Sequence, residues 1–251
     1  MADEQRYRAT VEYDGTDFLG YQIQAKGRTV QGELEKSLKQ ITQTAVRVDG
    51  AGRTDAGVHA VGQVIAFDVA WRHGLKDLHR ALNATLPNDI VISDLRITTP
   101  DFHSRFAALS RTYHYHVINQ AWPSVLQRRY AYHVSQKLDV TAMSEASQFL
   151  LGSQDFASFG KPPQGSNTVR NVMQAHWSAS NDNELRFVIT ANAFLYRMVR
   201  TMVGTLLQVG LGRLAVSDIK EILESRDLTQ SAPPAPAHGL CLVNVMYPED
   251  V

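Results

Sequence analysis

Cysteine is almost missing from this chain: Cys241 stands alone among 251 residues. It can close no disulfide within the chain and build no thiolate zinc site, a usage that fits a reducing cytosol. Long apolar runs are missing too. Nothing approaches the roughly 18 uninterrupted apolar residues of a membrane span, and the opening MADEQRYRAT has no signal-peptide core, so the chain is expected to be soluble and cytoplasmic, with no membrane partner. Net charge is absent as well, with 25 Lys and Arg against 25 Asp and Glu, which at first sight counts against a polyanion-binding protein. Neither an internal repeat nor a low-complexity linker appears, so two halves sharing a continuous interface are expected. What is present is apolar content sufficient for a large core, 44% of residues. Arginine also far outnumbers lysine and recurs at Arg53, Arg105, Arg111, Arg128, Arg129, Arg197 and Arg200, a distribution that a zero sum conceals.

Periodicity predicts alternating strands and helices. Residues 7–13 alternate as a strand and Asp14-Gly15 turns the chain; Thr29 caps a helix over 30–42 whose Val30, Leu34, Leu38 and Ile41 share a face. Strands are predicted over 46–48, 61–69 and 90–97, with a helix over 75–84. Beyond a boundary near 105, residues 111–116 form a strand placing Tyr113, Tyr115 and Val117 on one face and His114 and His116 on the other. That His-x-His pair lacks a third ligand, so no metal site is assigned. Asp139 caps a helix ended by Gly152, residues 161–165 make a loop, and 169–178 and 185–190 are strands. Residues 194–209 are predicted as one apolar helix, with Arg197 and Arg200 three apart on one side. Gly210-Leu211-Gly212 fits a loose dinucleotide pattern but follows a helix instead of a strand, so it reads as a helix C-cap and no nucleotide cofactor is assigned. Ser217 caps a short helix, and a proline-rich loop leads to a last strand ending at Tyr247.

The chemistry is expected to converge on residues 49–64, DGAGRTDAGVHAVGQV. One carboxylate, Asp55, sits among Gly50, Gly52 and Gly57, where such glycine density implies unusual φ values or close backbone approach. If the segment is extended, Arg53 and Asp55 point the same way and the guanidinium holds the carboxylate ionised. The plainer reading is a glycine-rich hairpin whose Asp accepts local hydrogen bonds. An arginine on so apolar a segment as 194–209 calls for a carboxylate partner, unless its head reaches water at the surface.

GRTDAGVHA closely resembles the catalytic loop of the tRNA pseudouridine synthase A (TruA) family. Further matches follow in the family's order: Tyr21-Gln22, where Trp-Gln would be usual; Asp101 to Ala107; Arg111-x-Tyr113-x-Tyr115; Met198-Val199-Arg200 with Gly204; and His238-Gly239-Leu240. The resemblance implies an α+β, pseudouridine-synthase-like fold. Two α/β halves with largely antiparallel sheets join across a central active-site cleft, 1–105 carrying the Asp loop and 106–251 the Tyr strand and Arg helix. It implies that Asp55 is the nucleophile, with Arg200 as its partner and Tyr113 as an active-site aromatic that floors the base pocket and is a candidate relay for the C5 proton. Arg53, Arg111, Arg197 and Tyr113 are implied to bind substrate. The implied reaction isomerises uridine in the anticodon arm of tRNA at nucleotides 38, 39 and 40, without cofactor or metal, in a homodimer with RNA lying across both subunits. Two rivals stand beside it. One is a non-catalytic module that binds structured RNA; the other is an Asp-based hydrolase or glycosidase, which would want paired carboxylates, Asp49 being the nearest second acid.

Overall fold

Alternation in YRATVEY does build the first strand. In the computed structural model, which describes residues 3–181 and 183–248, the order begins with β1 (Glu4–Tyr13), α1 (Val30–Thr42), β2 (Val48–Gly50), β3 (His59–Ala70), α2 (Leu75–Thr85) and β4 (Ile90–Ile97). β1 lies between β3 and β4 and is antiparallel to both, Tyr7 facing Phe67 on one side and Ile97 on the other. Its Tyr7, Ala9, Val11 and Tyr13 are buried on one face. On the opposite face Arg8 is buried as well, its guanidinium 4.1 Å from the centre of the Tyr247 ring and 5.3 Å from that of Phe102, a cation–π placement that offsets part of the cost of burying charge. The Thr29 hydroxyl accepts from Gly32 N–H and starts α1 where the sequence predicts, and Val30, Leu34 and Leu38 form the buried stripe. β2 runs two residues later than predicted, because Asp49 and Gly50 keep the ladder with Ala66 and Ile65.

A second set of elements begins at Ser110: β5 (Ser110–Asn119), β6 (Tyr132–Val134), α3 (Val140–Gln148), β7 (Gly152–Asp155), β8 (Val169–Asn181), β9 (Glu184–Ala191), α4 (Met198–Gly210) and α5 (Asp218–Ser225). The strands order as β5-β9-β8-β7 and are antiparallel, while β6 adds to β5 in parallel. Cross-strand register puts Tyr113 beside Ile189 and Ala175, and Tyr115 beside Phe187 and Trp177. All six are buried, and α3 and α4 supply more of this core through Met143, Ala146, Met202 and Leu206. The other face carries His114, His116, Arg186 and His176, as the strand alternation predicts for the first two. Gly152 opens β7 and does not end α3, whose C-cap is Phe149. Ser217 precedes α5 without a side-chain cap bond; Asp218 instead accepts from Ala215 N–H.

The last strand, β10 (Leu240–Met246), lies beside β3. The compact units are therefore Met1–Leu109 with Leu242–Val251, and Ser110–Cys241. This differs from a single cut near residue 105, because strand pairing, not chain order, decides membership: Leu109 N–H donates to Met246 O, and the buried Tyr247 hydroxyl donates to Ser104 O at 2.6 Å. The chain is thus α+β with an antiparallel sheet in each unit. Among the described residues no helix is long and apolar enough to cross a membrane.

Candidate active site

In the first unit the Asp55 loop is held by groups on either side of it. Thr54 points inward, buried, its hydroxyl 2.8 Å from that of Tyr13, and its carbonyl accepts from Tyr21 N–H. Its two neighbours are less covered: Arg53 is exposed and Asp55 half-buried. Asp55 O accepts from Val58 N–H, closing a turn in which Gly57 takes φ +78°. The buried Gln63 carboxamide clamps Gly52 at both ends, donating to its carbonyl at 2.8 Å and accepting from its N–H at 3.3 Å. His59 Nδ1 accepts from Gly15 N–H at 3.0 Å. Asp14 Oδ1 lies 3.2 Å from the same ring nitrogen.

Several of these holding residues escaped the sequence reading. Gly20 is one: it has φ +95°, and a Cβ there would lie 2.7 Å from Thr54 O, so only glycine lets this segment run against the loop. Gln63 and Thr54 are others. The signal for Gln63 was present, since an uncharged polar residue inside the apolar run VGQVIAF must find hydrogen-bond partners when buried. Tyr21, matched to the family's aromatic-Gln pair, is 4% exposed with its ring against Gly50, which is core packing. Among the described residues its hydroxyl has no hydrogen-bond partner, and burial pushes its pKa well up. Asp49, the second acid a glycosidase would need, accepts from Arg6 Nη2 at 3.1 Å as part of a strand-to-strand ion pair.

In the second unit Tyr113 is 7% exposed and meets Phe194 edge to face at 5.1 Å. Arg111, two residues earlier on the same face, is buried and donates through Nη1 to Asn192 O at 2.8 Å. The predicted helix over 194–209 begins only at Met198. Tyr196 bridges to Lys161, its N–H donating to Lys161 O, and Arg197 takes left-handed φ +63°, which no helix interior accommodates. Arg197 and Arg200 therefore do not share a helix face: Arg197 is exposed, with its guanidinium 4.9 Å from the Tyr196 ring centre, while Arg200 lies in the first turn of α4. Arg200 Nε donates to Ala235 O at 2.7 Å, and its own carbonyl accepts from Ala235 N–H. Gly204, the small residue that goes with Met198-Val199-Arg200, has a clear purpose. A Cβ on Gly204 would stand 2.2 Å from Pro233 O, so glycine allows residues 233–235 to lie directly on α4.

Its relatives place the chain among RNA-isomerising enzymes. The model of the tRNA pseudouridine synthase family matches residues 9–107 and 146–248, and the chain belongs to that family. Its Asp55, Arg53, Arg197 and Arg200 fall inside the matched segments, Arg111 and Tyr113 between them. The chain is 42% identical over 245 residues to tRNA pseudouridine synthase A of Bacillus subtilis, covering 96% of this chain and 99% of that one. It is 46% identical over 244 residues to tRNA pseudouridine synthase A of Chloroflexus aurantiacus, covering 94% and 86%, and 41% identical over 249 residues to that of Latilactobacillus sakei, covering 97% and 99%.

Proposed function

We propose that this tRNA pseudouridine synthase acts on the anticodon arm, at nucleotides 38, 39 and 40, with Asp55 as nucleophile. The observation that carries the reading is the placement of Asp55: a half-buried carboxylate on a loop fixed at Gly52, Thr54 and His59, within the string GRTDAGVHA. The isomerisation breaks the bond from ribose to uracil N1, turns the base and rejoins it through C5; the C5 proton leaves and N1 gains one. Atoms and electrons balance without a redox partner, so one carboxylate that forms and releases an adduct, on sugar or on base, is sufficient. Arg200 is the cation assigned as partner to that carboxylate, and Arg53 its exposed companion. A base stacked in a helix is out of reach, so the target nucleotide must be extruded, at a cost of a few kcal/mol, onto an aromatic floor, the role given to Tyr113 with Arg111 behind it. Arg197 faces solvent, where it serves as a phosphate contact.

The protein works in the cytoplasm as a homodimer with tRNA lying across both copies, an arrangement that lets one polyanion meet arginines of two chains. Sedimentation at micromolar concentration should give a dimer; an active strict monomer overturns that part. The main test is incubation with unmodified tRNA transcript followed by carbodiimide mapping. Pseudouridine at 38, 39 or 40 with unchanged chain length supports the reading, whereas released free uracil would mark a glycosidase.

A further inference from the structure

The longest acid-free stretch in the neutral sequence was not evident from its total charge. Between Asp101 and Asp139 there is no Asp or Glu, while Arg105, Arg111, Arg128, Arg129 and Lys137 all fall there. In the middle of it, the connection between β5 and β6 exposes three large apolar side chains within five residues: Trp122 at 81%, Val125 at 77% and Leu126 at 90%. Arg128, Arg129 and Tyr130 follow immediately and are exposed as well. Isolated exposed apolar residues are ordinary, but a cluster of this kind marks a surface that something covers.

The connection is built, not slack. At its base Asn119 Nδ2 donates to Val134 O at 2.9 Å, and His133 Nε2 lies 2.8 Å from Gln120 O. In its middle Gln127 N–H donates to Ser124 Oγ, Gln127 O accepts from both Tyr130 N–H and Ala131 N–H, and Gln127 Nε2 donates to Glu184 Oε1 at 2.6 Å. Such bracing fixes the backbone that carries Trp122 and Arg128, so less of it has to be ordered on binding.

We infer that residues 120–131 are a second RNA-contacting surface: Trp122 stacks on an unpaired base of the tRNA while Arg128 takes a phosphate beside it. This rests on the tRNA-modifying reading above. Charge decides the occupant. A two-fold pairing of this patch with its own copy would set Arg128 against Arg128 in a stretch, 102–138, that carries no carboxylate of its own, the neighbouring Glu184 being engaged by Gln127, whereas a polyanion answers that charge. An aromatic ring beside guanidinium groups is the usual platform for bases without sequence preference.

The test measures tRNA transcript binding, and KM and kcat of pseudouridine formation, across a salt series. Trp122→Ala should raise Kd and KM by roughly 5- to 100-fold, the range of a lost base stack, and Trp122→Phe should recover most of it. Arg128→Glu should lower the slope of log K against log salt by about one or more. Each side chain is exposed, so melting temperatures should stay at the wild-type value. A wild type that forms no pseudouridine defeats the functional reading. A working wild type with Kd and salt slope unmoved by both variants defeats this inference alone. Loss of the dimer on sedimentation of Trp122→Ala would also overturn it, marking the surface as a contact between copies of the chain.

Discussion

The Asp55 loop and the start of α4 are both irregular, charge-bearing backbone, and they are held by opposite means. The loop is gripped by side chains: the Tyr13 hydroxyl, the Gln63 carboxamide and the His59 ring. The helix start is gripped mostly by other backbone, Lys161 on one side and Pro233 to Ala235 on the other, admitted by Gly204. A side-chain grip requires particular residue types and so leaves a mark in the sequence. A backbone grip requires only room.

The sharpest way to break the contrast is at the chemistry. Asp55→Asn keeps the loop's shape and its bracing while removing the nucleophile, so pseudouridine formation and tritium release from 5-tritiated uridine should fall by roughly 10³-fold or more, with tRNA binding and melting temperature retained. Tyr113→Phe, which keeps the ring, should fall less; residual turnover of Asp55→Asn above a trace would unseat Asp55. The next effect belongs to the backbone grip. Gly204→Ala lies inside a helix, where propensity alone favours alanine by about 1 kcal/mol. The contact with Pro233 O should overrule it and cost about 2 to 4 kcal/mol in urea unfolding; a stabilised variant would mean that residues 233–235 do not press on α4.

The side-chain grip is tested by Gln63→Leu, which strands both polar groups of Gly52 and should cost on the order of 1 to 3 kcal/mol, with turnover lost faster than stability. A smaller effect comes from the histidine face of β5. Partial burial, with Arg186, His116 and His176 nearby, holds the His114 pKa down at about 4. The unfolded chain binds that proton near pH 6.5 and the folded one only near 4, so stability is unaffected above pH 6.5 and is lost as pH falls from 6.5 to 4. Discounted for partial exposure, the loss should be about 2 kcal/mol at most, and His114→Gln should flatten the melting temperature across that window. Smallest of all is Arg197→Gly. At φ +63° glycine relieves strain, so stability should hold or rise by up to about 1 kcal/mol, whereas in the helix interior that the sequence suggests it would fall by a similar amount.

Legibility was greatest where the determinants act locally. α1 was readable to the residue because Thr29 and a 3.6-residue stripe act locally, and β4 likewise from alternation between turn signals. The nine-residue string around Asp55 stood out only by its resemblance to a known family; the partners of its Thr54 and His59, the Tyr13 hydroxyl and Gly15 N–H, lie more than forty residues away in sequence. The start of α4 was not readable: nothing in FLYRMVR says that Lys161 will bridge Tyr196 and force Arg197 left-handed, since that partner lies more than thirty residues away in sequence. The membership of β10 was hidden for the same reason, as its pairing with β3 is decided across the whole second unit.

That return of β10 has a consequence for how the protein comes into being on the ribosome. The stretch 110–241 is continuous and can assemble as it emerges, whereas the first unit, though translated earlier, waits for Leu242 onward before β3, already laddered to β1 and to the short β2, gains β10 and Tyr247 packs on Phe102 and Arg8. Until then the part of the β3 edge beyond β2 offers unpaired N–H and C=O groups to any passing strand. The older half of the nascent chain is thus the later to mature, and a chaperone protecting this protein would be needed at β3 for as long as the second unit is being made.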